Sequence, residues 1–255
     1  MTSAPVVLRR DGSVLVVTLN RPEAKNAIDL AMAEGISRAM DELDDDASLA
    51  VAVITGAGGV FSAGMDLKAF ARGERSSLPG KGFAGIVEQP PRKPLIAAIE
   101  GYALAGGFEI ALCADIIVAA RDAGFGLPEV RRGLVASGGA LMRLPARVPY
   151  HAALDLILTG EHVDAAWAHH FGLVSRLTEP GCALEVALVC AEVVATNAPL
   201  AVRTSKEIAI QSASWGRDEL FTRQRALSEP VSTSNDAREG ALAFAEKRSP
   251  RWTGS

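Results

Sequence analysis

Two β-rich runs flank Asp11-Gly12, a dipeptide that favours a tight hairpin turn, so residues 6–20 predict a β-hairpin. Ile28, Met32, Ile36, Met40 and Leu43 then recur at helical spacing to about Asp44, with Asp29 as the candidate N-cap. Residues 51–55, VAVIT, are apolar up to the closing Thr55, the mark of a strand buried on both faces. Further apolar strands are expected at 95–99 and 116–119, with a helix between them from about Gly107 to Ala114. Residues 71–94 are rich in Gly, Pro and charge, with a short helix expected over 82–88. Such a segment is either a pocket wall or lid, or a tolerated surface insertion. After residue 139 the pattern turns helical: 140–147, 152–158, 165–171, then a short strand at 173–177. Helices follow at 181–196, 199–213, 216–228 and 235–246. The fold class is α/β, a succession of stacked ββα turns over residues 1–195, followed by a helical region over 196–255.

Composition narrows the function classes. The 255 residues are 49% hydrophobic and 22% charged, ordinary for a globular chain able to bury a large core. A formal net charge of −4 gives no support for a nucleic-acid partner. No apolar run reaches ~18 residues, so no membrane span is expected. The N-terminus has no basic stretch leading into an apolar one, which predicts no signal peptide and a cytoplasmic location. Cys113, Cys182 and Cys190, and the four histidines, lack metal-ligand spacing, so reduced thiols and no metal are expected. His169-His170 is expected at a helix end near the surface.

Chemistry concentrates at two glycine turns. Ala105-Gly106-Gly107 follows the strand 95–99 and opens a helix whose free N–H groups favour negative charge. Gly56 to Leu67 repeats the strand-then-glycine arrangement without the Gly-Lys-Ser/Thr of a phosphate-binding loop. The backbone N–H near Met65 can therefore face the one near Gly106, and two such donors make an oxyanion hole. Glu109 lies in the first turn of the helix and Glu129 follows Pro128. Taken alone, Glu109 would be a surface residue compensating the helix dipole and Glu129 a solvated loop residue. Beside an oxyanion hole, both become candidate acid/base groups.

RPEAKNAI (21–28), FSAGMDLK (61–68), IEGYALAGGFEIALCADIIVA (99–119), FGLPEVRRGL (125–134) and LTGEHVDAAWAHHFGLV (158–174) together resemble the enoyl-CoA hydratase/isomerase, or crotonase, family. The likeness runs from the N-terminal hairpin to FAEKRSP near the C-terminus. It implies a crotonase-like spiral of ββα units with a helical C-terminal trimerisation region. It implies an acyl-CoA substrate, no further cofactor, and a homotrimer or dimer of trimers. Carried over by motif, the oxyanion hole falls on the N–H groups of Met65 and Gly106, and the acid/base pair on Glu109 and Glu129. Coenzyme A would run past Lys25, Ala27, Ala63, Gly64, Asp66, Leu67, Lys68 and Gly107; Lys25, and Lys247 from a neighbouring subunit, are either phosphate contacts or ordinary surface lysines. Two glutamates imply reversible syn addition of water to a 2-enoyl-CoA. The alternatives are an enoyl-CoA isomerase, or a specialised dehydratase near the carnitinyl-CoA branch, which SAGMDLKAF and GGFEIAL resemble most. A non-enzymatic RNA-binding or scaffold homologue is the remaining class. Met65 stands where many members have a small residue, and residues 134–139 lack the proline common in hydratases.

Overall fold

The computed structural model describes residues 4–255. The expectation of no signal peptide rests partly on residues 1–3, which lie outside the described residues. The hairpin forms as expected: β1 (Val6–Asp11) pairs antiparallel with β2 (Val14–Leu19), Asp11 opposite Val14. Helix α1 (Leu30–Asp45) starts at Asp29, whose Oδ1 accepts from the Met32 N–H at 2.9 Å. Its Met32, Ile36, Met40 and Leu43 are buried.

Strand β3 (Val51–Gly56) precedes α2 (Leu67–Ala71) and a two-residue ribbon of β4 (Ser77–Leu78) and β5 (Gly82–Phe83). Then come β6 (Leu95–Ile99), β7 (Tyr102–Leu104), α3 (Gly106–Ala111), β8 (Ile116–Ala120), β9 (Gly124–Gly126) and a 3₁₀ turn, Pro128–Arg132. Four short elements follow: α4 (Ala140–Arg143), α5 (Tyr150–Thr159), β10 (His162–Asp164) and α6 (Ala165–His170). His169 and His170 fall in the last turn of α6, as expected. Strand β11 (Arg176–Thr178) leads to α7 (Ala183–Ala195), α8 (Pro199–Gln211), α9 (Leu220–Ser232) and α10 (Asn235–Glu246).

The main sheet has the order β1-β2-β3-β6-β8-β11, with parallel pairing from β2 onward. A smaller sheet, β10-β9-β7, lies beside it, so β6–β7 and β8–β9 each feed one strand into either sheet. Alternation across the pleat explains why the strands are apolar throughout. Leu15, Val17, Ala52, Ile54, Ala97 and Ala119 enter the main core with α1. Val14, Val16, Val51, Val53, Ile96 and Val118 face α7, which presents Ala183, Ala187, Cys190 and Ala191 and so packs closely.

Three expectations need correction. Residues 82–88 are not helical, because Gly82, Ala84 and Gly85 all take positive φ. The strand expected at 173–177 begins only at Arg176, because the Leu173 and Val174 N–H groups both turn back to the Ala168 carbonyl. The helix expected over 140–147 ends at Arg143. Helices α8 and α9 bury no residue, and Phe221 and Phe244 are largely exposed. Lys206 ties α8 to the core through Asp115 and the carbonyls of Pro91 and Lys93. Among the described residues no single helix is long and apolar enough to cross a membrane.

Candidate active site

The site is built where the two glycine turns touch. Ser62 bridges to Ala103, and the Leu104 N–H donates to the Ser62 carbonyl at 3.0 Å. Gly64 has φ +90, and a Cβ there would lie 2.8 Å from the Gly106 nitrogen, so only glycine allows this approach. Ile28 pins the first turn from behind: its N–H donates to the Gly64 carbonyl and its carbonyl accepts from Asp66. In a parallel bridge those bonds flank Met65, so the Met65 N–H points the opposite way. Buried Asn26 fixes the approach to this turn, donating to the Ala57 and Val60 carbonyls at 2.9 and 2.7 Å.

The second turn is set by Ala105, at φ 51, from which α3 starts with Gly106 as its first residue. Its N–H faces no i−4 carbonyl in the helix, and neither it nor the Met65 N–H finds a partner among the described residues. The Phe83 ring covers Gly106, where an added Cβ would lie 2.4 Å from the ring edge. Met65, Gly106, Phe83, Glu109 and Glu129 all line one cleft of about 920 Å³.

Glu109 is buried, not the surface residue its position in a first turn suggests by itself. Its Oε1 accepts from the Ala140 N–H at 3.3 Å, at the start of α4. Burial pushes its pKa up to about 7, Glu129 adds to the rise, and the Ala140 and Gly138 N–H groups and Arg143 hold it back. Glu129 is half-buried on the 3₁₀ turn, and its Oε2 has no hydrogen-bond partner among the described residues. Burial raises its pKa too, against the pull of its own N–H and Arg132. Two carboxyls that each resist ionisation, facing one space beside two free N–H groups, can move protons at a polarised carbonyl compound.

Lys25, Ala27, Ala63, Asp66, Leu67 and Lys68 line the same cleft. Gly64 and Gly107 do not: both are consumed by close packing, Gly107 against the Ser62 carbonyl. Asp66 is also occupied, capping α2 with one oxygen and accepting from Arg21 at 3.1 Å with the other. Sequence reasoning missed Arg21, Phe83, Arg132 and Ser137, which line the cleft as well. Arg132 and Ser137 belong to stretches already singled out for Glu129, and Phe83 falls in residues 71–94, where Arg72, Arg75, Ser76 and Ser77 also line the cleft, so that segment is a pocket wall rather than a mere surface insertion. Lys25, Lys68, Arg72, Arg75 and Arg132 make the rim basic, which suits a polyanionic ligand. Among the described residues no three His, Cys, Asp or Glu side chains are grouped as metal ligands would be.

The model of one family, enoyl-CoA hydratase/isomerase, matches residues 9–255. The chain belongs to the enoyl-CoA hydratase/isomerase family. It is 43% identical to a carnitinyl-CoA dehydratase of Salmonella arizonae, over 97% of both chains. It is 39% identical to an enoyl-CoA hydratase of Mycobacterium tuberculosis, over 96% of this chain and 95% of that one. Among solved structures, an enoyl-CoA hydratase from Mycobacterium tuberculosis is 56% identical, with a TM-score of 0.98 over 99% of this chain and 100% of that one. A carnitinyl-CoA dehydratase from Mycobacterium avium is 41% identical, with a TM-score of 0.80 over 99% of this chain and 100% of that one. The crotonase fold, expected from the N-terminal hairpin to FAEKRSP near the C-terminus, thus holds for the chain.

Proposed function

We propose that this enzyme is an enoyl-CoA hydratase, adding water reversibly to the conjugated double bond of a 2-enoyl-CoA thioester. The observation that carries this is the meeting of two unpartnered N–H groups with two glutamates, both pushed up in pKa by burial, in one cleft. The thioester oxygen accepts from Met65 and Gly106, and their donors stabilise the enolate that forms as water attacks the β-carbon. Losing one such donor typically costs ~3 kcal/mol of transition-state stabilisation. One carboxylate of the Glu109/Glu129 pair takes a proton from the water, and the pair returns a proton to the α-carbon. Two like groups at one water titrate as a unit, so the pair keeps one proton near neutrality. Delivery of both pieces from the same pair makes the addition syn. The basic rim, with Lys25 and Lys68, receives the phosphates of coenzyme A, and the reaction needs no other cofactor.

The retained pair favours hydration over isomerisation, which needs only a proton shuttle. It also favours an enzyme over an RNA-binding homologue. A specialised dehydratase would use the same groups on another acyl chain, and the carnitinyl-CoA dehydratase relatives support it as the second reading. We infer further that residues 196–255 form an assembly region and that the enzyme is a trimer or dimer of trimers. The exposed Ile210, Phe221, Leu242 and Phe244 support this, and light scattering tests it. Three unpaired cysteines fit a cytoplasmic enzyme. The test of function is loss of enoyl-thioester absorbance across a panel of linear, branched and polar 2-enoyl-CoAs. Rapid loss with any of them supports hydration, and no loss across the panel with coenzyme A still bound rejects it.

A further inference from the structure

Behind Glu109 lies a guanidinium that touches both halves of the site without entering it. Arg143, in α4, donates through Nη1 to the Gly138 carbonyl at 3.3 Å and through Nη2 to the Val87 carbonyl at 2.5 Å. Gly138 and Ala140 form the loop that closes over Glu109: an added Cβ at Gly138 would lie 2.4 Å from Glu109 Oε2, and the Ala140 N–H reaches Oε1. Between them Gly139 sits at φ +100, where a Cβ would lie 2.2 Å from Arg143 Nη1, so the guanidinium fills the space a side chain would need. Val87 belongs to the other half. Its N–H donates to the Phe83 carbonyl at 3.3 Å, and Phe83 is the ring over Gly106. None of the ion pairs among the described residues involves Arg143, so its charge is not neutralised by a carboxylate. A planar fork that spans two carbonyls is a geometry lysine cannot copy.

We propose that Arg143 is a positioning residue of the hydration site, bridging the loop that holds Glu109 to the segment that carries Phe83 over the oxyanion donors. This rests on the hydratase reading of the site. Through the bridge it fixes where the Glu109 carboxylate stands relative to Gly106. Through space it is the positive charge facing Glu109 from α4. The other groups facing that carboxylate are Glu129 from the 3₁₀ turn, with Arg132 beside it, and the Cys113 thiol from the end of its own helix.

The test uses the full-length enzyme and the variants Arg143→Ala, Arg143→Lys and, as a neighbour that holds only the Leu112 carbonyl, Arg147→Ala. Arg143→Ala is expected to lower kcat about a hundredfold, the cost of a ~1 Å misplacement, with KM within about twofold. Its upper pH limb moves to higher pH, because Glu109 loses a charge that favoured ionisation. Arg143→Lys returns the limb but not the full kcat, since one ammonium cannot hold both carbonyls. Added guanidinium ion restores part of the Arg143→Ala rate, and Arg147→Ala keeps native kinetics. Carboxyl ¹³C titration of Glu109, assigned against Glu109→Gln, gives a readout that needs no turnover: its midpoint rises in Arg143→Ala and falls back in Arg143→Lys. A folded Arg143→Ala with native kcat overturns the proposal. So does a fall in kcat with the Glu109 midpoint unmoved, which would be merely structural. If the native enzyme turns over no enoyl-CoA, the hydratase reading fails, and the Glu109 midpoint alone then decides the Arg143 contact.

Discussion

Gly138→Ala probes the placement of Glu109 with one methyl group. Gly138 does not occupy the left-handed region, so alanine is tolerated by the backbone itself. The new Cβ, however, lies 2.4 Å from Glu109 Oε2 and 2.7 Å from its carboxyl carbon, where ordinary contact begins at 3.4 Å. The carboxylate and the loop must therefore part by about 1 Å, which also breaks the 3.3 Å bond from Ala140. On the proposed mechanism Glu109 must meet a water and a carbon, and a displacement of that size costs about a hundredfold in rate, or ~2.7 kcal/mol. Stability changes little, because lost chain entropy in the unfolded state offsets local strain to within ~1 kcal/mol. The assay is initial loss of enoyl-thioester absorbance on whichever 2-enoyl-CoA the native enzyme prefers, with urea unfolding alongside. Gly124→Ala serves as the control, since its Cβ meets only ordinary contacts at 3.8 and 3.9 Å. A Gly138→Ala enzyme with kcat within threefold of native would refute the claim that Glu109 must stand where this loop holds it.

The other expectations concern the oxyanion side, the burial of Glu109 and the rim. Gly106→Ala should lower kcat about tenfold or more by driving its Cβ into the Phe83 ring, and Phe83→Ala should recover part of the loss in the double variant; a purely additive cycle would contradict the contact. Because Glu109 rises from an ordinary 4.5 to about 7, its ionisation in the folded state costs up to ~3 kcal/mol above pH 7. Below pH 4.5 both folded and unfolded chains hold the proton and no penalty exists; the penalty grows between 4.5 and about 7. Glu109→Gln should therefore be more stable than native at pH 8 and not at pH 4, and equal gains at both would contradict the burial cause. Lys25→Glu and Lys68→Glu should raise KM with kcat little changed, and added salt should raise the native KM in the same direction.

The hairpin, α1 and the buried strands were legible because their patterns are long and local chemistry agrees with tertiary burial. The two glycine turns were legible for a related reason: a backbone that must pass another backbone at van der Waals distance leaves glycine as its trace. Burial of Glu109 was not legible from α3 itself, where a first-turn acid looks like a dipole-compensating surface group. It is buried by residues 138–140, some thirty positions away, and no local pattern announces that. Phe83 lay in a segment expected as a pocket wall or lid, but its place over Gly106 was hidden for the same reason. The helix expected over 82–88 gives way to positive φ at Gly82, Ala84 and Gly85, held where Gly85 presses on the Ala33 carbonyl of α1. Strands β7, β9 and β10 have three residues each, too few for alternation to register.

The central claim is that Glu109 and Glu129 act as one acid/base unit on water and an enoyl thioester. The most direct test is kcat for Glu109→Gln, Glu129→Gln and the double variant in the absorbance assay. Each single change should lower kcat by at least ~10²-fold, and the double should fall little below the worse single, because either loss already disables the unit. Near-native turnover in either single variant, or losses that multiply in the double, would contradict the claim.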